Sequence, residues 1–286
     1  MAPTHHISTR QLFVGALLLS LAACSDARKI EDGVAWFDGG DAYDVLEPVA
    51  FTDVPYGAPG AGLQGIGELP MPGNILETWY GPDDVPPDNC DDWVTDASMP
   101  TEVEGIITIH PRFYYKTQGC VAPGDRETDS DEKYYGSYFI QDATGGVFVL
   151  GDSKVAHFDM GDRVRMKVRA VRNIFELQAV AAHDVLVVQR GPEAIYYEWS
   201  TEALGADDVG LVKRVEGEVV IAADTFGEFQ IESDDGVRYT IGLDVELNRR
   251  GLSFPVGTRI QATGPTMFAY ETYKIVIMRV GQIELL

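Results

Sequence analysis

A pattern of short β-type runs and glycine turns occurs in the middle of this sequence and returns near its end. Val103-Glu104-Gly105 is echoed by Val215-Glu216-Gly217, and Gly136-Ser137-Tyr138-Phe139-Ile140 more weakly by Gly227-Glu228-Phe229-Gln230-Ile231. Gly146-Val147 matches Gly236-Val237, and Gly161-Asp162-Arg163-Val164 matches Gly257-Thr258-Arg259-Ile260, with Glu176-Leu177 and Glu271-Thr272-Tyr273 in comparable runs afterwards. Repetition at domain length denotes two related domains rather than a solenoid. In the first copy the runs 103–109, 136–140, 147–150, 163–171, 175–180 and 185–189 are broken by the turns Asp142-Ala143-Thr144-Gly145-Gly146 and Gly161-Asp162. Such runs read as strands, and their number and spacing suit a small all-β barrel. The expectation is an all-β chain with one barrel over 101–191 and a second over 211–286. Between them the string PEAIYYEWSTEAL ends at Gly205, a plausible C-cap, so 192–210 is expected to be a helical connector.

The chain begins MAPTHHISTRQLFVGALLLSLAAC. Arg10 supplies a positive charge and residues 12–21 an apolar core, too short for the ~20 residues of a spanning helix. Residues 1–23 therefore read as a cleavable export signal. The cleavage site Leu21-Ala22-Ala23-Cys24 resembles the bacterial lipobox, which implies that Cys24 carries a diacylglyceryl group. Ser25 in place of an aspartate points to the outer membrane, on its periplasmic face or at the cell surface. Two or three acyl chains, at roughly 0.8 kcal/mol per buried CH₂, would hold the protein firmly.

The net charge of -23 makes the chain a poor general ligand for phosphate backbones, which require clustered cations. Residues 24–100 are rich in Gly, Pro and acidic side chains and read as an acidic tether. Trp36-Phe37, Trp79-Tyr80 and Trp93 are larger than a linker needs, so part of this stretch is expected to pack on the domain that follows. With Cys24 as the anchor, Cys90 and Cys120 are left as a pair. In an oxidising compartment they are expected to form a disulfide; a metal site or two free thiols are the alternatives.

The string Gly136-Ser137-Tyr138-Phe139-Ile140-Gln141-Asp142-Ala143-Thr144-Gly145-Gly146-Val147-Phe148-Val149, followed by Gly161-Asp162-Arg163-Val164, resembles an OB-fold module of bacterial extracellular nucleases and of secreted proteins and lipoproteins. The resemblance covers about 101–190 and weakens in the second copy, where Glu232-Ser233-Asp234-Asp235-Gly236 replaces the Gln-Asp-x-Thr-Gly-Gly string. It implies five-stranded Greek-key barrels. In the nucleases the module accompanies a separate catalytic domain, so the implied role is binding without an inherited active site. The Thr-Gly-Gly turn is expected to supply the positive φ of a tight hairpin.

Val149-Leu150-Gly151-Asp152-Ser153 resembles the serine block of GDS-type esterases, but no Asp-x-x-His pair is available to activate the serine. His110, His157 and His183 show no metal spacing, and the acidic loop 125–132 (DRETDSDE) lacks the EF-hand glycine and terminal glutamate. No catalytic residue, metal or cofactor is expected. The most suggestive cluster is Arg163, Arg165, Lys167 and Arg169, alternating with Val164, Met166, Val168 and Ala170, with Arg172 beyond. A strand's period of two places the four cations on one face. With Tyr134, Tyr135 and Tyr138 nearby, this face could grip a polyanion or stack bases or sugars; alternatively the cations pair with the chain's own carboxylates. The expected role is a non-catalytic envelope binding module for a protein, glycan or polyanion, with nucleic acid on the basic strand as the alternative and a hydrolase accessory role third.

Overall fold

The computed structural model describes residues 27–29, 35–37, 48–71, 100–109, 113–116, 133–150, 159–174, 177–190 and 193–286. The export signal, Cys24, the Cys90 and Cys120 pair, the acidic loop, the 151–153 turn, His110 and His157 lie outside these residues. Short pieces come first: β1 (Ala27–Lys29) and β2 (Ala35–Phe37), which pair antiparallel, and β3 (Phe51–Thr52).

The first barrel contains β4 (Thr101–Ile107), β6 (Lys133–Gln141), β7 (Gly146–Leu150), β8 (Arg163–Ile174) and β9 (Leu177–Gln189), with β5 (Phe113–Lys116) added along β6. Its strands close in the order β4-β6-β7-β9-β8 and back to β4, with β7 and β9 parallel and the other pairs antiparallel. After β10 (Ile195–Tyr196) and β11 (Glu198–Trp199), the second barrel comprises β12 (Val212–Ile221), β13 (Glu228–Glu232), β14 (Arg238–Leu243), β15 (Arg259–Ala269) and β16 (Thr272–Ile277), with β17 (Ile283–Leu285) along β15. It closes as β12-β13-β14-β16-β15 and back to β12, again with only the third and fifth strands parallel. This shared order is the Greek-key topology of the OB fold, so both copies of the sequence pattern form OB barrels, including the second, whose motif is degraded.

Side-chain alternation explains the strands. On β8, Val164, Met166, Val168 and Ala170 are buried while Arg163, Arg165, Lys167 and Arg169 stay half-exposed. In the second barrel Phe229, Ile231, Tyr239 and Ile241 point into the core from β13 and β14. The glycines of the two matched turns, Gly161 and Gly257, have φ of 84° and 92° and precede β8 and β15.

Three expectations are corrected. Within the 192–210 connector, the described residues 193–210 are not helical. Ile195 and Tyr197 alternate inward, β10 pairs with β3, β11 pairs with β12, and only a 3-10 turn forms at Ala206–Asp208. The β-favouring Ile-Tyr-Tyr-Glu-Trp run finds strand partners, and partners outweigh the weak helix propensity of its neighbours. Gly205 opens the 3-10 turn, its N–H donating to Asp208, and does not close a helix. The α-helix found among the described residues is α1 (Val245–Arg249) between β14 and β15, capped by Asp244, whose carboxylate accepts from Glu246 N–H at 2.9 Å, and ended by Gly251 at φ 80°.

Second, the tether reading is corrected over 48–71, where the packing expected of part of that stretch is found. Ile66 and Leu69 are buried in the core of the first barrel, and the Ile66 side chain occupies the space above Gly105, where an added Cβ would lie 2.9 Å from its Cδ1. Asp142 accepts from Ile66 N–H at 2.9 Å, and Thr144 Oγ1 accepts from Gly67 N–H at 2.9 Å. A few apolar residues among glycines suffice, because glycine lets the backbones approach.

Third, Gly145 and Gly146 are absent from the residues with positive φ. Their lack of a side chain serves proximity: a Cβ on Gly145 would lie 2.8 Å from Gly67 Cα, and one on Gly146 would lie 2.0 Å from the Gly210 carbonyl oxygen.

The last contact joins the barrels. Val212 N–H donates to Gln141 Oε1 at 2.9 Å, and Arg279 Nη2 donates to both Asp159 oxygens at 2.7 and 2.8 Å. Val209, Met267, Phe268, Val276 and Met278 of the second barrel belong to the same buried cluster as the core of the first.

Candidate functional site

The basic strand is laid out as its alternation requires, but its charges are compensated. β8 runs antiparallel to β4, which places Glu104 opposite Arg165 and Glu102 opposite Lys167. Glu104 accepts from Arg165 Nη2 at 2.8 Å and from Arg163 Nη1 at 3.4 Å, and Arg163 also donates to Glu193. Lys167 Nζ donates to Asp184 at 3.0 Å. The hydrogen bond to Glu193 raises the Arg163 pKa, and that to Asp184 raises Lys167. Pairs this exposed add little to stability, but they neutralise the face. Arg169 completes the outward row.

Tyr138 does not join this surface. It is 3% exposed and points into the first barrel, where burial raises the pKa of its phenol. The period of two explains the placement: Ile107 lies opposite Ile140, so Tyr138 and Ile140 face inward, whereas Phe139 and Gln141 face outward. Tyr134 and Tyr135 lie on β6, paired with β5.

The second and third strands of an OB barrel form its usual binding face, and the two barrels treat this face differently. On the first barrel the outward residues Phe139 and Phe148 stand opposite each other with ring centroids 4.7 Å apart, and both are fully buried in the cluster shared with the second barrel. On the second barrel the outward residues of β13 and β14 are Glu228, Gln230, Glu232, Arg238 and Thr240, all half-exposed or exposed. Lys274 of β16 lies opposite Thr240 and donates to Glu228, while Glu232 accepts from Arg238 at 2.7 Å. This face is polar, open and internally charge-balanced.

Two aromatic residues that sequence reasoning missed mark its ends. Phe226, in the turn before β13, is 77% exposed. Tyr270, 91% exposed, forms with Glu271 the two-residue turn between β15 and β16, with φ of 54° and 61°. Neither residue type favours the left-handed region, so the turn holds an aromatic ring in water at a backbone cost. The Lys274 ammonium lies 5.7 Å from that ring. The legible signal was an aromatic residue at a hairpin tip, where Asn or Gly is usual.

No group of three or more metal-binding side chains occurs among the described residues. No known protein family and no curated protein matches the chain. Solved structures with some likeness include a replication protein A heterotrimer bound to ssDNA (8% identity, TM-score 0.31, 68% of this chain and 50% of that one). Others are the tetrameric p202 HIN2 (10%, TM-score 0.29, 68% and 97%) and the Ifi202 HINa domain in complex with 20bp dsDNA (10%, TM-score 0.27, 68% and 97%). The chain thus spans half the length of the replication protein A chain it matches. At these scores the likeness carries no argument about ligand; the OB assignment rests on the strand order.

Proposed function

We propose that this protein is a non-catalytic binding module, carried to the outer membrane on a lipidated Cys24, whose recognition surface is the open β13–β14 face of the second barrel. The observation that carries this reading is Tyr270, held almost wholly in solvent on a strained turn beside that face. The equivalent face of the first barrel is used up in packing. A surface whose charges cancel, with an aromatic ring at each end, suits a glycan or a protein segment of mixed polarity better than a polyanion. The pairing of Arg163, Arg165 and Lys167 with Glu104, Glu193 and Asp184 also counts against polyanion capture on β8.

Nucleic acid is the second reading, favoured by one observation: exposed Phe226 and Tyr270 offer faces on which bases can stack. Titration of the full chain with envelope oligosaccharides, an envelope protein extract and single-stranded DNA across a salt series tests both. The expected result is binding that changes little with salt, falls about tenfold in Tyr270→Ala, the loss of one aromatic hot spot, and is unchanged in Arg165→Glu/Lys167→Glu. DNA binding with a steep salt dependence, abolished by the charge-reversal pair, would overturn it. For the anchor, Cys24→Ser should abolish acyl-chain labelling and membrane fractionation.

A further inference from the structure

Arg214, on the opening strand of the second barrel, is set apart from the cations around it. Lys213 pairs with Glu198 and Asp208, Arg259 with Glu216 and Asp234, and Arg279 with Asp159. Among the described residues Arg214 has no ion-pair partner. Its Nε donates to Thr263 Oγ1 at 2.8 Å, which fixes the guanidinium plane. Its two Nη groups have no hydrogen-bond partner among the described residues, yet neither is among the buried polar atoms left without one, so both still reach solvent.

Three aromatic rings surround it. The guanidinium carbon lies 3.6 Å from the Tyr197 ring centroid and 5.7 Å from those of Phe51 and Trp199. Phe51 and Trp199 each meet Tyr197 edge-on, with centroids 6.5 and 6.1 Å apart. The rings come from β3 and from the 192–210 segment, which the register brings alongside β12 with Trp199 next to Arg214. Tyr197 is buried, while Trp199 is 51% exposed, so one ring face of the box stays open to solvent. The acidic groups Glu284 and Asp53 act on Arg214 only through space, and Glu284 is engaged by Gln261 Nε2 at 3.0 Å.

We propose that Arg214, with Trp199 beside it, is a binding site for a carboxylate carried on a ring, either a sugar acid or an aromatic acid. A guanidinium with its Nε already anchored presents its remaining N–H groups in a fixed fork that matches one carboxylate. The exposed indole supplies a flat apolar surface for the ring that bears it. A single cation with Asp53 and Glu284 nearby, on a chain of net charge -23, favours a monoanion over a phosphate dianion. The site lies on β11, β12 and β15, on strands other than those of the β13–β14 face, and does not depend on that face having a ligand.

The test is calorimetric titration of the full chain with glucuronate and benzoate, with glucose and inorganic phosphate as controls. Saturable binding of at least one of the two acids is expected, with none for glucose and no competition from phosphate. Arg214→Gln and Arg214→Lys should each weaken it about tenfold or more, the lysine because it lacks the fork. Trp199→Ala removes a half-exposed side chain, keeps the fold, and should weaken binding severalfold; it carries the test alone if Arg214→Gln unfolds. Absence of saturable binding for both acids, or equal binding in wild type and Trp199→Ala, would overturn the site. Competition by phosphate at equal strength would overturn the carboxylate assignment.

Discussion

The two barrels share one strand order yet have opposite outer faces, and the difference comes down to a few side chains. Aligned on their strands, Tyr138-Phe139-Ile140 of β6 corresponds to Phe229-Gln230-Ile231 of β13, and Val147-Phe148-Val149 of β7 to Tyr239-Thr240-Ile241 of β14. The inward residues are apolar in both. The outward pair is Phe139 and Phe148 in the first barrel and Gln230 and Thr240 in the second. Two aromatic residues turn a surface into a seat for a neighbouring domain; two polar residues leave it free to meet something else. Duplicated barrels need not duplicate a function, because closure of the barrel depends on the inward set alone.

Substitutions at matched positions sharpen this contrast. The largest effect is expected at the seat: Phe148→Ala should cost about 3–5 kcal/mol and split a single denaturant transition into two. Thr240→Ala should stay within about 0.5 kcal/mol. Equal effects of the two would remove the distinction between the faces. Next come the hairpin tips. Asp142 accepts from the Thr144 N–H and hydroxyl, from Gly145 N–H and from Ile66 N–H. Asp142→Ala should therefore cost about 3 kcal/mol, read by thermal melting, and expose residues 64–69 to proteolysis. Gly146→Ala, which forces a methyl group against the Gly210 carbonyl, should cost about 1–3 kcal/mol and loosen the barrel junction, as seen by hydrogen exchange at Val212. The smallest effect belongs to Asp234 on the corresponding tip of the second barrel. Its hydrogen bond to Arg259 lowers its pKa in the folded state. The stabilisation it provides is therefore present above the ordinary carboxylate range and fades as pH falls through the folded value. Asp234→Asn should slightly flatten the acid side of the melting-temperature profile and change little at neutral pH.

Much of the architecture was legible because it rests on alternation and turns. The β8 row of apolar residues and cations followed from a period of two, and the two Gly161-type turns from their place between strand runs. The Gln141-Asp142-Ala143-Thr144-Gly145-Gly146 string was legible as a motif but not in its purpose. Gln141 binds Val212, Asp142 and Thr144 bind residues 66 and 67, and Gly146 touches Gly210. All of these partners are remote in sequence, and no local rule names them. The 192–210 connector was misread for a related reason, since isolated propensity cannot anticipate β3 and β12 as strand partners. Tyr138 was assigned to a surface because aromatic residues often stack ligands, although its register with Val149 and its neighbour Ile140 already put it inside. Phe226, Tyr270 and Arg214 were passed over because single residues in turns or strands form no pattern, and their meaning lies in what surrounds them.

The core that encloses Ile66 at one end of the chain also contains Met278 near the other. A nascent chain therefore carries an unfinished first barrel, open where Ile66 waits and bare where Phe139 and Phe148 await cover, until its final strands arrive. Contacts so distant along the chain make folding slow and late. The same long-range closure that locks the finished molecule leaves the unfinished one pliable.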